Sequence, residues 1–164
     1  MTGPYLYATI FMGFLLLAAR SDAADLRIPN RLVLVMALAA LPVGWLLGIG
    51  LPMFAAVITG AATLAVTWAM FEMGWLGGGD AKLAAATALW LGPPGMAVFV
   101  IATALFGAIL AVALLCVSRW ELARGAFGAR WEARLTAEAI SVPYALAMAP
   151  GGAVAMAALL PSLT

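Results

Sequence analysis

Charge is confined to three short stretches of this chain, and the runs between them are apolar. The eight basic and seven acidic residues all fall within Arg20–Arg31, Glu72–Lys82 and Arg119–Glu138. Only 9% of the 164 residues are charged and 66% are hydrophobic, whereas a soluble domain uses about a quarter charged residues to cover its surface. Bilayer is the solvent that fits. In lipid every backbone donor and acceptor must be satisfied within the protein, which leaves helices or a closed barrel. Long apolar runs, rather than short alternating segments, select helices.

A spanning helix takes about 20 mostly apolar residues. On that measure six segments are expected: Tyr5–Ala19, Leu32–Leu47, Met53–Phe71, Ala81–Leu91, Met96–Val117 and Ala139–Leu160. The chain reads as an all-α polytopic membrane protein, with residues 1–164 forming one domain. Breaker turns are expected at Gly48-Ile49-Gly50-Leu51-Pro52 and Gly92-Pro93-Pro94-Gly95. The charged stretches then become the first, third and fifth connections, which share one side of the bundle. All the Lys and Arg lie there, which marks that side as cytoplasmic. The N-terminal residues Met1-Thr2-Gly3-Pro4-Tyr5 lack a positive n-region, so the first apolar run is expected to be a retained helix.

The expected fourth segment is short. From Asp80 to Leu91 it spans about 18 Å at 1.5 Å per residue, against a hydrocarbon core of about 30 Å. Either the helix continues past Gly92-Pro93-Pro94-Gly95, or Asp80 is recessed in a wet cleft. The first segment likewise reaches membrane length only by running on through Asp22. Between the fifth and sixth segments, Trp120, Ala123, Phe127, Trp131 and Leu135 recur at helical spacing, with Arg124, Arg130 and Arg134 among them. That pattern predicts an amphipathic helix at the interface, a membrane anchor in preference to a substrate-docking platform.

The residue inventory narrows the chemistry. A net charge of +1 offers no basic surface for nucleic acid, and the chain has no His and a single Cys, Cys116, inside an apolar run. Disulfides and His/Cys metal sites are therefore excluded within one chain. Gly77-Gly78-Gly79-Asp80 removes side-chain bulk just before an acid, so another backbone can approach that acid closely. Taken alone, it is a flexible loop with a capping Asp. Asp22 and Asp25, taken alone, are interfacial charges offset by Arg20, Arg27 and Arg31. Together the two stretches mean more. Of the acids, Asp22 and Asp80 are the ones expected at ends of spanning helices on the same side, and ionisable groups at membrane depth are functional candidates because burying them is costly.

These residues resemble a known family. Gly77-Gly78-Gly79-Asp80 matches the GxGD motif of the type IV prepilin peptidases. Asp22, six residues before Ile28-Pro29-Asn30, matches that family's first aspartate. Ala81-Lys82-Leu83 and Val142-Pro143-Tyr144 also look like family segments, so the resemblance spans nearly the whole chain. Longer members begin with a domain carrying Cys-x-x-Cys pairs, associated with N-methylation. This chain resembles the short form of Flp-type, tight-adherence pilus systems, which implies peptidase without methyltransferase activity.

The resemblance implies an aspartic endopeptidase of the inner membrane, with Asp22 and Asp80 catalytic and no metal or other cofactor. Gly77, Gly78, Gly79 and Lys82 would support the site; Lys82 is expected mainly to snorkel toward the interface. Family spacing selects Asp22 over Asp25, which is expected to be a loop charge paired with an Arg. The implied partners are the lipid bilayer and a prepilin whose basic leader ends in Gly before a hydrophobic helix, entering from the side. The main alternative is a small transporter or an assembly scaffold. A proton-coupled transporter would place its acids near the midplane on related halves, whereas these acids gather at one face. Presenilin-like proteases carry a Pro-Ala-Leu motif that this sequence lacks.

Overall fold

The computed structural model describes residues 2–25, 27–50, 52–124 and 144–163, with only the backbone described for 117–124. Five helical elements appear among them: α1 (Gly3–Asp25), α2 (Asn30–Leu46), α3 (Met53–Glu72), α4 (Gly78–Arg124) and α5 (Ala145–Leu163). No strand occurs among the described residues. Four of these helices are long and apolar enough to cross a membrane, and α2 is a shorter apolar helix. Large apolar side chains such as Leu38, Phe54, Val66, Ile101 and Ile109 face outward. Such a surface is stable in lipid, where the outside of a bundle meets hydrocarbon.

Six separate helices were expected; the fourth and fifth run together as α4. The reason lies in the prolines. Only Gly92 leaves helical geometry, at φ 61 and ψ −174, a region that L side chains rarely adopt. Pro93 and Pro94 then occupy the opening turn of the following arm, where no helical partner is required of an N–H. The four-residue breaker turn therefore shrinks to one glycine. A straight helix of 47 residues would run about 70 Å, more than twice the hydrocarbon thickness, so a break is needed if both arms lie in the bilayer. The amphipathic stretch expected over Arg119–Glu138 is described only to Arg124, where the backbone continues α4. The remainder falls in residues 125–143, outside the described ones.

α4 is the hub, packing on α2, α3 and α5, while α1 packs on α5 and α2. Trp90 lies fully buried at the centre. Tyr7, Phe11 and Phe14 of α1 surround its ring at centroid distances of 4.7, 5.8 and 6.0 Å. Its indole N–H donates to the Met36 carbonyl of α2 at 2.9 Å. On α5, Gly151 faces Thr103 and Gly152 faces Leu15 and Phe11. A Cβ at either glycine would collide with these neighbours, so the pair lets α5 lie close to α1 and to α4 at one level.

The helices alternate in direction, which gathers the charged ends. The C-termini of α1 and α3 meet the N-termini of α2, α4 and α5 at one end of the bundle. At the other end Gly3 of α1 lies against the Leu47 carbonyl after α2.

Candidate active site

Asp22 continues the buried stripe of α1. Phe11, Leu15, Ala18 and Asp22 succeed one another at four-, three- and four-residue steps, and all are buried. Periodicity that carries apolar side chains into the core thus carries a carboxyl there as well. Among the described residues Asp22 is the one carboxylic acid in the buried core. One carboxylate oxygen accepts a hydrogen bond from the Ala145 backbone N–H at 3.0 Å. Ala145 opens α5, so Asp22 satisfies a donor that has no intrahelical partner.

Asp80 sits in the first turn of α4, partly exposed. Its Oδ1 is buried and makes no hydrogen bond with the described residues. Its Oδ2 lies over Gly77, where an added Cβ would stand 2.8 Å away. The two acids, 58 positions apart along the chain, thus lie at the same end of the bundle, one at the end of α1 and the other at the start of α4.

The two motifs that flank these acids are packed together. A Cβ at Gly79 would stand 3.3 Å from Cβ of Ile28, and Lys82 Nζ donates to Asn30 Oδ1 at 3.2 Å. On the other side, Gly78 lies against the Phe71 ring, with an added Cβ at 3.1 Å. Thr67 of α3 donates to the Ala81 carbonyl at 3.2 Å. Ser21 Oγ donates to the Arg27 carbonyl at 2.8 Å, tying the end of α1 to the segment before α2. The glycines are what the packing requires: each occupies a place where a side chain would press on its neighbour.

The structure therefore brings Asp22, Asp80, Gly77, Gly78, Gly79 and Lys82 into one neighbourhood. Lys82, expected mainly to snorkel, holds Asn30 while remaining exposed. Asp25, expected in a loop, is the exposed last residue of α1. Glu72 accepts from Trp68 Nε1 at 3.0 Å, an (i, i+4) contact within α3. Two roles were not read from the sequence. Ile28 and Asn30 were seen as motif letters, yet they are the contacts that seat Gly79 and Lys82. Ala145, just after Val142-Pro143-Tyr144, is the donor to Asp22; the nearby motif was the available signal.

Two carboxyls at one end of the bundle, one with an oxygen held by an amide and the other with a buried oxygen that makes no hydrogen bond with the described residues, are groups that can give and take protons. That is acid–base equipment. A profile of the type IV leader peptidase family matches residues 9–112, more than half of the chain and both aspartates included. No curated relative and no solved structure matches the chain.

Proposed function

Since the chain belongs to the type IV leader peptidase family, we propose that it is an aspartic endopeptidase whose Asp22 and Asp80 remove the leader of Flp-type prepilins. Leader-peptidase activity follows from the family, and a multi-pass membrane setting from the spanning-length helices. The observation that carries the aspartic reading is a buried Asp22 at the end of α1, with Ile28 of the segment that follows it packed on Gly79, the residue before Asp80.

In the mechanism one carboxyl is ionised and its partner protonated. The ionised group takes a proton from water as the water oxygen attacks the scissile carbonyl. The protonated group gives its proton to the carbonyl oxygen, and a tetrahedral diol forms. Collapse returns a proton to the carboxylate that lost one, while the other carboxyl protonates the departing amine. The pair titrates as a unit. Gly78 and Gly79 let Phe71 and Ile28 pack close to the turn, and the exposed Gly77 leaves a side by which an extended peptide backbone can reach Asp80. The charged ends of the helices support a cytoplasmic-side cut by the positive-inside rule.

The deciding experiment is cleavage of a co-expressed Flp-type prepilin by wild type, Asp22→Ala, Asp25→Ala and Asp80→Ala. Loss of cutting is expected for Asp22→Ala and Asp80→Ala, with substantial activity in Asp25→Ala. A leader still removed by Asp80→Ala sinks the assignment. Chelators are expected to leave cleavage unchanged; inhibition that one added metal reverses counts against it.

A further inference from the structure

α2 and α3 both pack on α4 and scarcely on each other; α3 is held to the bundle by α4. Between them they leave a groove of about 570 Å³. Its lining is apolar except at one end, where Asn30 and Lys82 lie, joined by their hydrogen bond. Small residues line it from all three helices: Ala37 of α2, Gly60 and Ala61 of α3, and Ala85 and Ala86 of α4.

We propose, building on the peptidase reading, that this groove seats the hydrophobic helix of the substrate that follows the scissile bond. The size fits. From Lys82 to Leu89 the groove follows about two turns of α4. Two turns of a guest helix, about 10 Å long and about 10 Å across, fill on the order of 800 Å³. The groove is thus of the same order of volume as two turns of a helix, and its open side leaves the guest's outer face to lipid. The small lining residues let a helix backbone come close, which is how helices associate where hydrocarbon gives no hydrophobic drive.

Position chooses the occupant. The polar end of the groove lies at Lys82, two residues after Asp80, and the glycine turn that leads into α4, with Gly77 exposed, lies beside it. A chain leaving the groove at that end reaches the Asp80 carboxyl by crossing the glycine turn. A substrate whose helix stays in the bilayer while its leader is cut needs that continuity. An acyl chain or a second copy of this protein does not.

The test uses the full chain with Cys116, which is exposed, replaced by Ser, and with Asp80→Ala to retain uncut substrate. Single cysteines at Ala37, at Ala61 and at Val112, an outward residue remote from the groove lining, are treated with a thiol crosslinker beside a Flp-type prepilin carrying one cysteine in its helix. Crosslinks at Ala37 and Ala61 but not at Val112 are expected. In the otherwise native enzyme, Ala61→Trp is expected to raise KM for that prepilin about tenfold, since overfilling a packed space is costly, while Val112→Trp leaves it unchanged. Substrate crosslinks that favour Val112, crosslinks only between copies of this protein, or equal KM for the two Trp variants overturn the groove assignment. The two readings fail separately: prepilin cut by Asp80→Ala refutes the peptidase, whereas an inert Asp80→Ala without groove crosslinks refutes the groove alone.

Discussion

The carboxylate of Asp22 accepts a 3.0 Å hydrogen bond from the backbone N–H of Ala145, joining the end of α1 to the start of α5. A helix start leaves backbone donors without partners and carries the positive end of the helix dipole. A Ser, Thr, Asp or Asn just before the helix usually meets that need. Here the acceptor comes from 123 positions away. Asp22 therefore has a structural duty as well as the proposed chemical one, and the two are separable.

Asp22→Asn keeps an oxygen that can accept from Ala145 but removes the acid. Cleavage of the prepilin is expected to vanish, with Tm in detergent close to wild type. Asp22→Ala loses both functions, and its stability is expected to fall by a further ~1 kcal/mol, the usual cost of a lost cap. An Asn variant that cuts normally contradicts the catalytic role. An Ala variant as stable as the Asn variant contradicts the capping role.

Gly77→Ala tests the placement of Asp80. The new methyl would stand 2.8 Å from Oδ2 of Asp80, closer than carbon and oxygen tolerate. The neighbour is the free end of a side chain, so the carboxyl swings aside and the fold survives. The expected outcome is a kcat lower by about tenfold or more, because small misplacements of catalytic groups are expensive. Thermal stability is expected to change by less than about 1 kcal/mol. Equal kcat for the variant and wild type shows that the Asp80 rotamer seen here is not the working one.

Much of this arrangement was legible along the chain, for a physical reason. Apolar runs bounded by charge mark where helices enter water, so α3 was placed at Met53–Phe71 against Met53–Glu72 in the structure. The acids could be ranked because helix ends are local features. What stayed hidden was contact between distant positions. Nothing near Gly79 states that Ile28 will press against it, and nothing near Asp22 names Ala145. The break expected at Gly92-Pro93-Pro94-Gly95 falls at Gly92 alone, because two prolines at the start of a helix continue it.

Tyr7 supplies a hydrogen bond that the backbone cannot. The first arm of α4 breaks at Gly92, and the following Pro93 and Pro94 have no N–H to offer its last carbonyls. The Tyr7 hydroxyl donates to the buried Trp90 carbonyl at 2.9 Å instead. Tyr7→Phe keeps the ring against Trp90 and strands that carbonyl. A loss of about 1–2 kcal/mol is expected in reversible unfolding, within the range for a buried group left unsatisfied. Catalysis is expected to persist, because Tyr7 is toward the end of α1 remote from Asp22. A Phe variant as stable as wild type shows that this carbonyl finds another donor.

Two Gly→Ala substitutions are expected to move stability in opposite directions. Gly92 holds φ 61 and ψ −174, where a Cβ meets the backbone and costs about 1–3 kcal/mol. The strain has no easy release. Straightening α4 would drive one arm out of the bilayer, and Leu91 and Trp90 are fully buried beside the break. Gly13 lies within α1, and nothing stands within 4 Å of the position a Cβ would take. Ala there removes freedom from the unfolded chain and suits a helix better, a gain of up to about 1 kcal/mol. Unfolding midpoints in one detergent should therefore rank Gly13→Ala at or above wild type and Gly92→Ala clearly below it. The reverse order would mean that the break in α4 is not held by the glycine.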